Sequence, residues 1–159
     1  MPDMRRQLYE ARHHSEFTAS IWVHVAADVI QRLRPLAFAC IEHLTSASTV
    51  ERDLLAIEER LLGLAESCAC TLFAGGVRIE DLDPEDIYRL DQMRDGQRAA
   101  FCTYVVCSEV LVLFGLARGN CAMPEVWPAM LLRALFEEMQ SIEQRMPSLA
   151  MPDLGFDLR

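Results

Sequence analysis

Apolar residues recur along the chain at spacings of three and four, the pattern of helices that bury one face. No stretch alternates apolar and polar residues as a half-buried strand does, and the only short β-like candidate is Val77 to Ile79. A first helix is predicted over about 4–14, weakly amphipathic through Leu8 and Tyr9. A second, capped by Ser15 or Thr18, reaches about Leu44. Its apolar face carries Ile21 or Trp22, Val25, Val29, Leu33, Ala37, Cys40, Ile41 and Leu44. Pro35 removes a helical donor and crowds the preceding turn, which predicts a kink or break near Leu33–Arg34.

The third segment has the clearest pattern. Ser48-Thr49-Val50-Glu51 has capping-box spacing. Val50, Leu54, Ile57, Leu61, Leu64 and Cys68 then alternate at four and three, with Leu72 four further on, a heptad-like seam suited to coiled-coil-like packing. Gly75-Gly76 supplies the stop. After the loop at 75–83, Asp83 caps the next start, with Pro84 in the first turn and Glu85 and Asp86 facing the positive helix end. Ile87, Leu90 and Met93 continue that helix, and Asp95-Gly96 bends or splits it. From about 99 to 117 the chain is apolar on nearly every side, as a helix surrounded by others should be. The last helix begins between Pro124 and Pro128 and runs to about Arg145, with Met130, Leu131, Leu135, Met139 and Ile142 on one face. The segment 147–159 is an apolar tail, expected to dock on the bundle or on a partner.

The resulting expectation is all-α: one all-helical domain over 1–159, a compact bundle of five or six helices around the central apolar helix at about 99–117. The central apolar run from Phe101 to Leu116 is shorter than the roughly 20 residues a membrane span needs.

Charge narrows the partners. The chain carries 24 acidic and 15 basic residues, for a net charge of −9. Phosphate neutralisation drives nucleic-acid binding, so this balance argues against nucleic acid and anionic membrane. The first 34 residues are denser in Arg than the rest, but Arg5, Arg6, Arg12, Arg32 and Arg34 are nearly balanced by Asp3, Glu10, Glu16 and Asp28. Every basic residue is Arg, and Asn120 is the only Asn, a composition expected from GC-rich codons in a bacterial or phage source. The charged N-terminus leaves no apolar stretch for a signal peptide, so a cytoplasmic location with reduced cysteines is expected.

Candidate chemistry is sparse. Glu10 and His13 form a Glu-x-x-His, but a di-iron bundle needs two such motifs. His13-His14 with Glu16 is a generic surface cluster. Cys68 and Cys70 point apart on a helix, so they cannot share a metal there. Cys40 and His43 share a helical face, but zinc needs two further ligands, and nothing in the spacing brings Cys102, Cys107 or Cys121 to them. His24 with Asp28, together with His43, Ser108 and Glu109, complete the polar residues on apolar faces. No nucleophile or phosphate-loop motif is present. These residues assign no catalytic, cofactor or metal site.

The leading expectation is a non-enzymatic, cytosolic protein–protein interaction module, of inhibitor, immunity, anti-activator or adaptor type. Its partner is another protein, with a basic surface facing Glu80, Asp81, Asp83, Glu85 and Asp86, and with Trp127 and Phe156 as apolar contacts. A Trp at such a helix start is more often a lid on the core. Homodimerisation through the seam or tail belongs to this expectation. Two alternatives are a helical sensor for a small apolar ligand, lined by Met and Trp, and a metal- or thiol-dependent enzyme.

Overall fold

The computed structural model describes residues 16–78, 94–120, 126–149 and 151–152. Among these residues there are four helices and no strand: α1 (Glu16–Ile41), α2 (Ala47–Ala74), α3 (Asp95–Asn120) and α4 (Trp127–Arg145). The fold is therefore all-α, and the described residues hold four helices, where five or six are expected over the whole chain. The helices predicted over 4–14 and from Asp83 lie outside the described residues.

Contacts at the helix ends fix the topology. Gln97 at the start of α3 donates to the Gly75 carbonyl just past α2, while Arg118 near the end of α3 pairs with Glu58. The two helices are thus antiparallel. Thr18 at the start of α1 donates to the Cys102 sulfur, which sets α1 parallel to α3. Trp127 opens α4 beside Phe114 and Glu51, so α4 starts where α3 ends. The result is an up-down-up-down bundle. Both α1 and α3 touch all three other helices, and α2 with α3 forms the most extensive pair.

The main core joins all four helices through Trp22, Ile30, Leu33, Leu54, Phe114, Leu131, Leu135 and Met139. A smaller cluster of Cys68, Leu72, Ala100, Phe101 and Val105 extends the α2–α3 pair towards the Gly75 end. The tail contributes Leu149 and Met151, half-buried against the main core.

The α2 seam differs from a heptad. Its buried residues are Val50, Leu54, Ile57, Leu61, Ala65, Cys68 and Leu72, whereas Leu64 is 42% exposed. The spacings run four-three-four twice, an 11-residue repeat of about 3.67 residues per turn. Such a stripe drifts little around a straight helix, whereas a strict heptad stripe calls for a left-handed supercoil. The same seam is occupied within the chain and is not open to a second copy.

Of the kink or break expected near Leu33–Arg34, the break does not occur: α1 continues through Pro35 as one helix. Pro35 and Gln31 are both exposed, so the carbonyl that loses its helical donor faces water. The cap of α2 is Ser46, two residues before the predicted box; its Oγ accepts from the Thr49 N–H at 3.3 Å. α1 ends at Ile41, which leaves Ile41 and Leu44 exposed beyond the core.

The ends of α1 and α2 use the same closing geometry with different residues. Past α2, Gly76 is left-handed at φ 86°; its N–H meets Phe73 O, and Val77 N–H meets Leu72 O at 2.8 Å. Past α1, His43 takes that position at φ 55°, with His43 N–H on Cys40 O and Leu44 N–H on Ala39 O at 2.8 Å. A side chain at positive φ carries a steric cost that glycine avoids.

Candidate functional site

Two concavities lie side by side where α1 faces α2. Of the helix pairs in extensive contact, this one shares the least. Val25 and Val29 of α1 and Ile57 and Leu61 of α2 form an apolar floor. Asp28 rises from the α1 side and accepts from Nε of Arg32, one helical turn on, at 3.4 Å. It also accepts from Nε of Arg60, which reaches across from α2, at 3.3 Å. This bridge divides the groove. On one side, about 310 Å³ is bounded by His24, Val25, Val29, Leu61 and Leu64. On the other, about 320 Å³ is bounded by Pro35, Leu36, Asp53, Ala56 and Ile57.

A second polar group ties three helices at the opposite end of α3 from Gln97. The Arg118 guanidinium lies 5.0 Å from the Trp127 ring centroid and pairs with Glu58. Trp127 Nε1 donates to Glu51 at 3.3 Å, and Phe114 meets the indole edge-on at 6.2 Å. Glu58, Arg118 and Trp127 thus clasp α2, α3 and α4.

The sequence candidates distribute unevenly over this structure. Glu80, Asp81, Asp83, Glu85, Asp86 and Phe156 lie outside the described residues, as do Glu10, His13, His14 and Cys121. Trp127 is 1% exposed, a lid packed into the core, so it does not offer the surface anchor that partner binding needs. Asp28 pairs with Arg32 and Arg60, and His24 stands exposed at the groove's edge. Cys40 is buried while His43, beyond the helix end, is exposed, so the two do not share a helical face. Ser108 bonds back to the Tyr104 carbonyl at 2.9 Å, and Glu109 is buried on α3. The groove itself escaped sequence reading, because Asp28 and Arg60 belong to different helices. Its one local signal was the Asp28–Arg32 spacing on a helical face.

The cysteines are mostly packing groups. Burial raises the Cys68 thiol above its ordinary value, and burial raises Cys102 despite the Thr18 hydrogen bond and the nearby Arg98 charge. Burial, with a smaller effect of Cys68, pushes Cys107 up to about 12. These sulfurs stay protonated at neutral pH, whereas nucleophilic chemistry uses the thiolate. Cys70 is exposed. Among the described residues, no three His, Cys, Asp or Glu side chains are grouped to hold a metal ion. Among them, too, α3 alone is long and apolar enough to cross a membrane, and half of that stretch is buried against its neighbours.

Compared with protein-family models, curated proteins and solved structures, the chain finds no match.

Proposed function

We propose that this chain is a non-enzymatic, cytosolic protein–protein interaction module of bacterial or phage origin, acting as an inhibitor, immunity factor, anti-activator or adaptor does. The observation that supports this reading is the α1/α2 groove. It is long, open to solvent, apolar on its floor and charged at its middle, the anatomy of a surface that receives another chain. Leu64 adds apolar surface at its rim, and Leu55 and Leu62 expose more of α2. The raised Cys68, Cys102 and Cys107 thiols weigh against a thiol nucleophile at those positions. Homodimerisation belongs to the same proposal, through surface other than the α2 seam.

The test is affinity capture from source lysate with the wild type and with Leu64→Glu, both scored by quantitative mass spectrometry. A stoichiometric partner recovered by the wild type and lost by Leu64→Glu supports the reading. Identical recoveries, with a monomeric mass by light scattering, refute it. A second reading, a sensor of a small apolar ligand, draws on the compartment of about 310 Å³ beside His24. That volume sits at the lower edge of the roughly 300–1,000 Å³ of ligand sites. A metabolite that raises the melting temperature of the wild type but not of Leu64→Glu would favour it.

A further inference from the structure

We infer that the α1/α2 groove receives one amphipathic helix of a partner protein, bearing two large apolar side chains with an acidic residue between them. This rests on the interaction reading and specifies the partner's chemistry at the same groove.

The two compartments set the spacing. Their bounding residues are centred about eight positions apart on α1 and about four apart on α2. At 1.5 Å per residue this is a separation of about 6–12 Å. Side chains four to eight positions apart on one helical face span the same distance, the spacing of anchors in helix-in-groove recognition. Each compartment, at about 310 and 320 Å³, has room for one leucine- or phenylalanine-sized side chain.

The divider sets the charge. Two guanidinium groups, from Arg32 and Arg60, converge on the single carboxylate of Asp28. Every hydrogen bond described for the two runs from Nε, so their terminal nitrogens remain available at the groove. A carboxylate on the incoming helix completes an Arg–Asp–Arg–acid alternation, with charge-assisted bonds from those nitrogens. A basic residue there would meet two cations against the one carboxylate of Asp28, since Asp53 of the neighbouring compartment is paired with Arg52 at 3.7 Å. The Asp28–Arg60 bond also links the two walls of the groove, holding both arginines in place before a partner arrives.

The probe is a phage-displayed library of helical peptides, randomised on one face and selected against the full-length protein. Enriched peptides are expected to carry two large apolar residues four to eight positions apart with Asp or Glu between them. A representative peptide should lose at least about tenfold in affinity against Leu64→Glu and against Arg60→Glu. Replacing its acid by Lys should recover the loss against Arg60→Glu and create one against the wild type. Both substituted residues are exposed, and unchanged far-UV circular dichroism confirms that each variant folds. The inference is overturned if no peptide is enriched, if enriched peptides lack the acid, or if Arg60→Glu leaves affinity unchanged. It is also overturned if light scattering shows a dimer that Arg60→Glu dissolves, which assigns the groove to a second copy. The interaction reading survives any peptide failure as long as lysate capture still depends on Leu64, so the two fail separately.

Discussion

Replacing Leu61 by Ala and, separately, Leu64 by Ala distinguishes the two registers open to α2. In a heptad both would lie on the seam. In the structure Leu61 is 4% exposed, inside the main core, and Leu64 is 42% exposed at the groove rim. A core Leu→Ala change costs about 2–5 kcal/mol, the lost transfer energy plus a residual cavity. For Leu61 the expected cost is about 3 kcal/mol. Fully burying a leucine contributes about 1.5–3 kcal/mol, and Leu64 realises only part of that; with the site already open to water, it leaves no enclosed cavity. Its expected cost is about 1 kcal/mol or less. For a urea dependence of about 2 kcal/mol per molar, the midpoint falls by about 1.5 M for Leu61→Ala and by about 0.5 M or less for Leu64→Ala. Equilibrium urea melts followed by far-UV circular dichroism measure both. Ala65→Leu is the reciprocal test: three carbons forced into a packed position should cost about 1–3 kcal/mol. Equal midpoint losses for Leu61→Ala and Leu64→Ala, or an Ala65→Leu variant as stable as the wild type, would refute the 11-residue seam.

His43→Gly should raise stability by about 1 kcal/mol, since glycine takes a left-handed cap without a steric cost, and the melting temperature by about 2–4 °C. His43→Val should lower both. Arg118→Ala removes the cation above Trp127 and the partner of Glu58, whose side chain is 16% exposed; calorimetry should show destabilisation of about 1–2 kcal/mol. Trp127→Phe, which keeps an aromatic ring but loses the bond to Glu51, should lose about 1 kcal/mol in the same assay. Thiol labelling at pH 8, resolved by peptide mass spectrometry, should modify Cys70 far faster than Cys68, Cys102 or Cys107. Cys107 also sets a sign for alkaline stability. Its folded value of about 12 lies above the ordinary 9.0, so the unfolded chain releases this proton first. Stability should therefore fall between about pH 9 and pH 12, and Cys107→Ala should flatten that fall in urea melts across the range.

The helices were legible because their periodicity is strong and their breaks are marked. α4 begins beside Pro128 and ends at Arg145 as its pattern indicates, and the buried row Leu131, Leu135, Met139 and Ile142 was readable from spacing alone. Met130, adjacent to that row, is exposed, because one face of α4 suffices where it covers the edge of the bundle. α1 is buried on a wider arc than an amphipathic reading allows. Val23, Ala26 and Ile30 join the core because this helix touches three others. The seam of α2 misled by one residue: leucine at 64 and alanine at 65 invite the larger side chain inward, and only packing against α3 reveals the smaller one there. That α1 continues through Pro35 was not legible either, since sequence does not show which face will meet water. The groove was illegible because it arises where two helices separate, and it is closed across its middle by Asp28 and Arg60, which no local pattern connects.

The up-down-up-down order has a mechanical consequence. α1 starts and α4 ends at the same pole, and the two helices lie side by side. A load applied through Glu16 and Arg145 therefore peels α1 from α4 row by row and does not slide one along the other. Side-chain layers would yield in succession, beginning with the one nearest that pole. At the far pole the clasp of Glu58, Arg118 and Trp127 lies beyond the opening fork, so it would be among the last elements to bear the load. The same chain held at Glu16 and Asn120, opposite ends of the parallel α1 and α3, would be loaded in shear across several layers at once and should resist far more force.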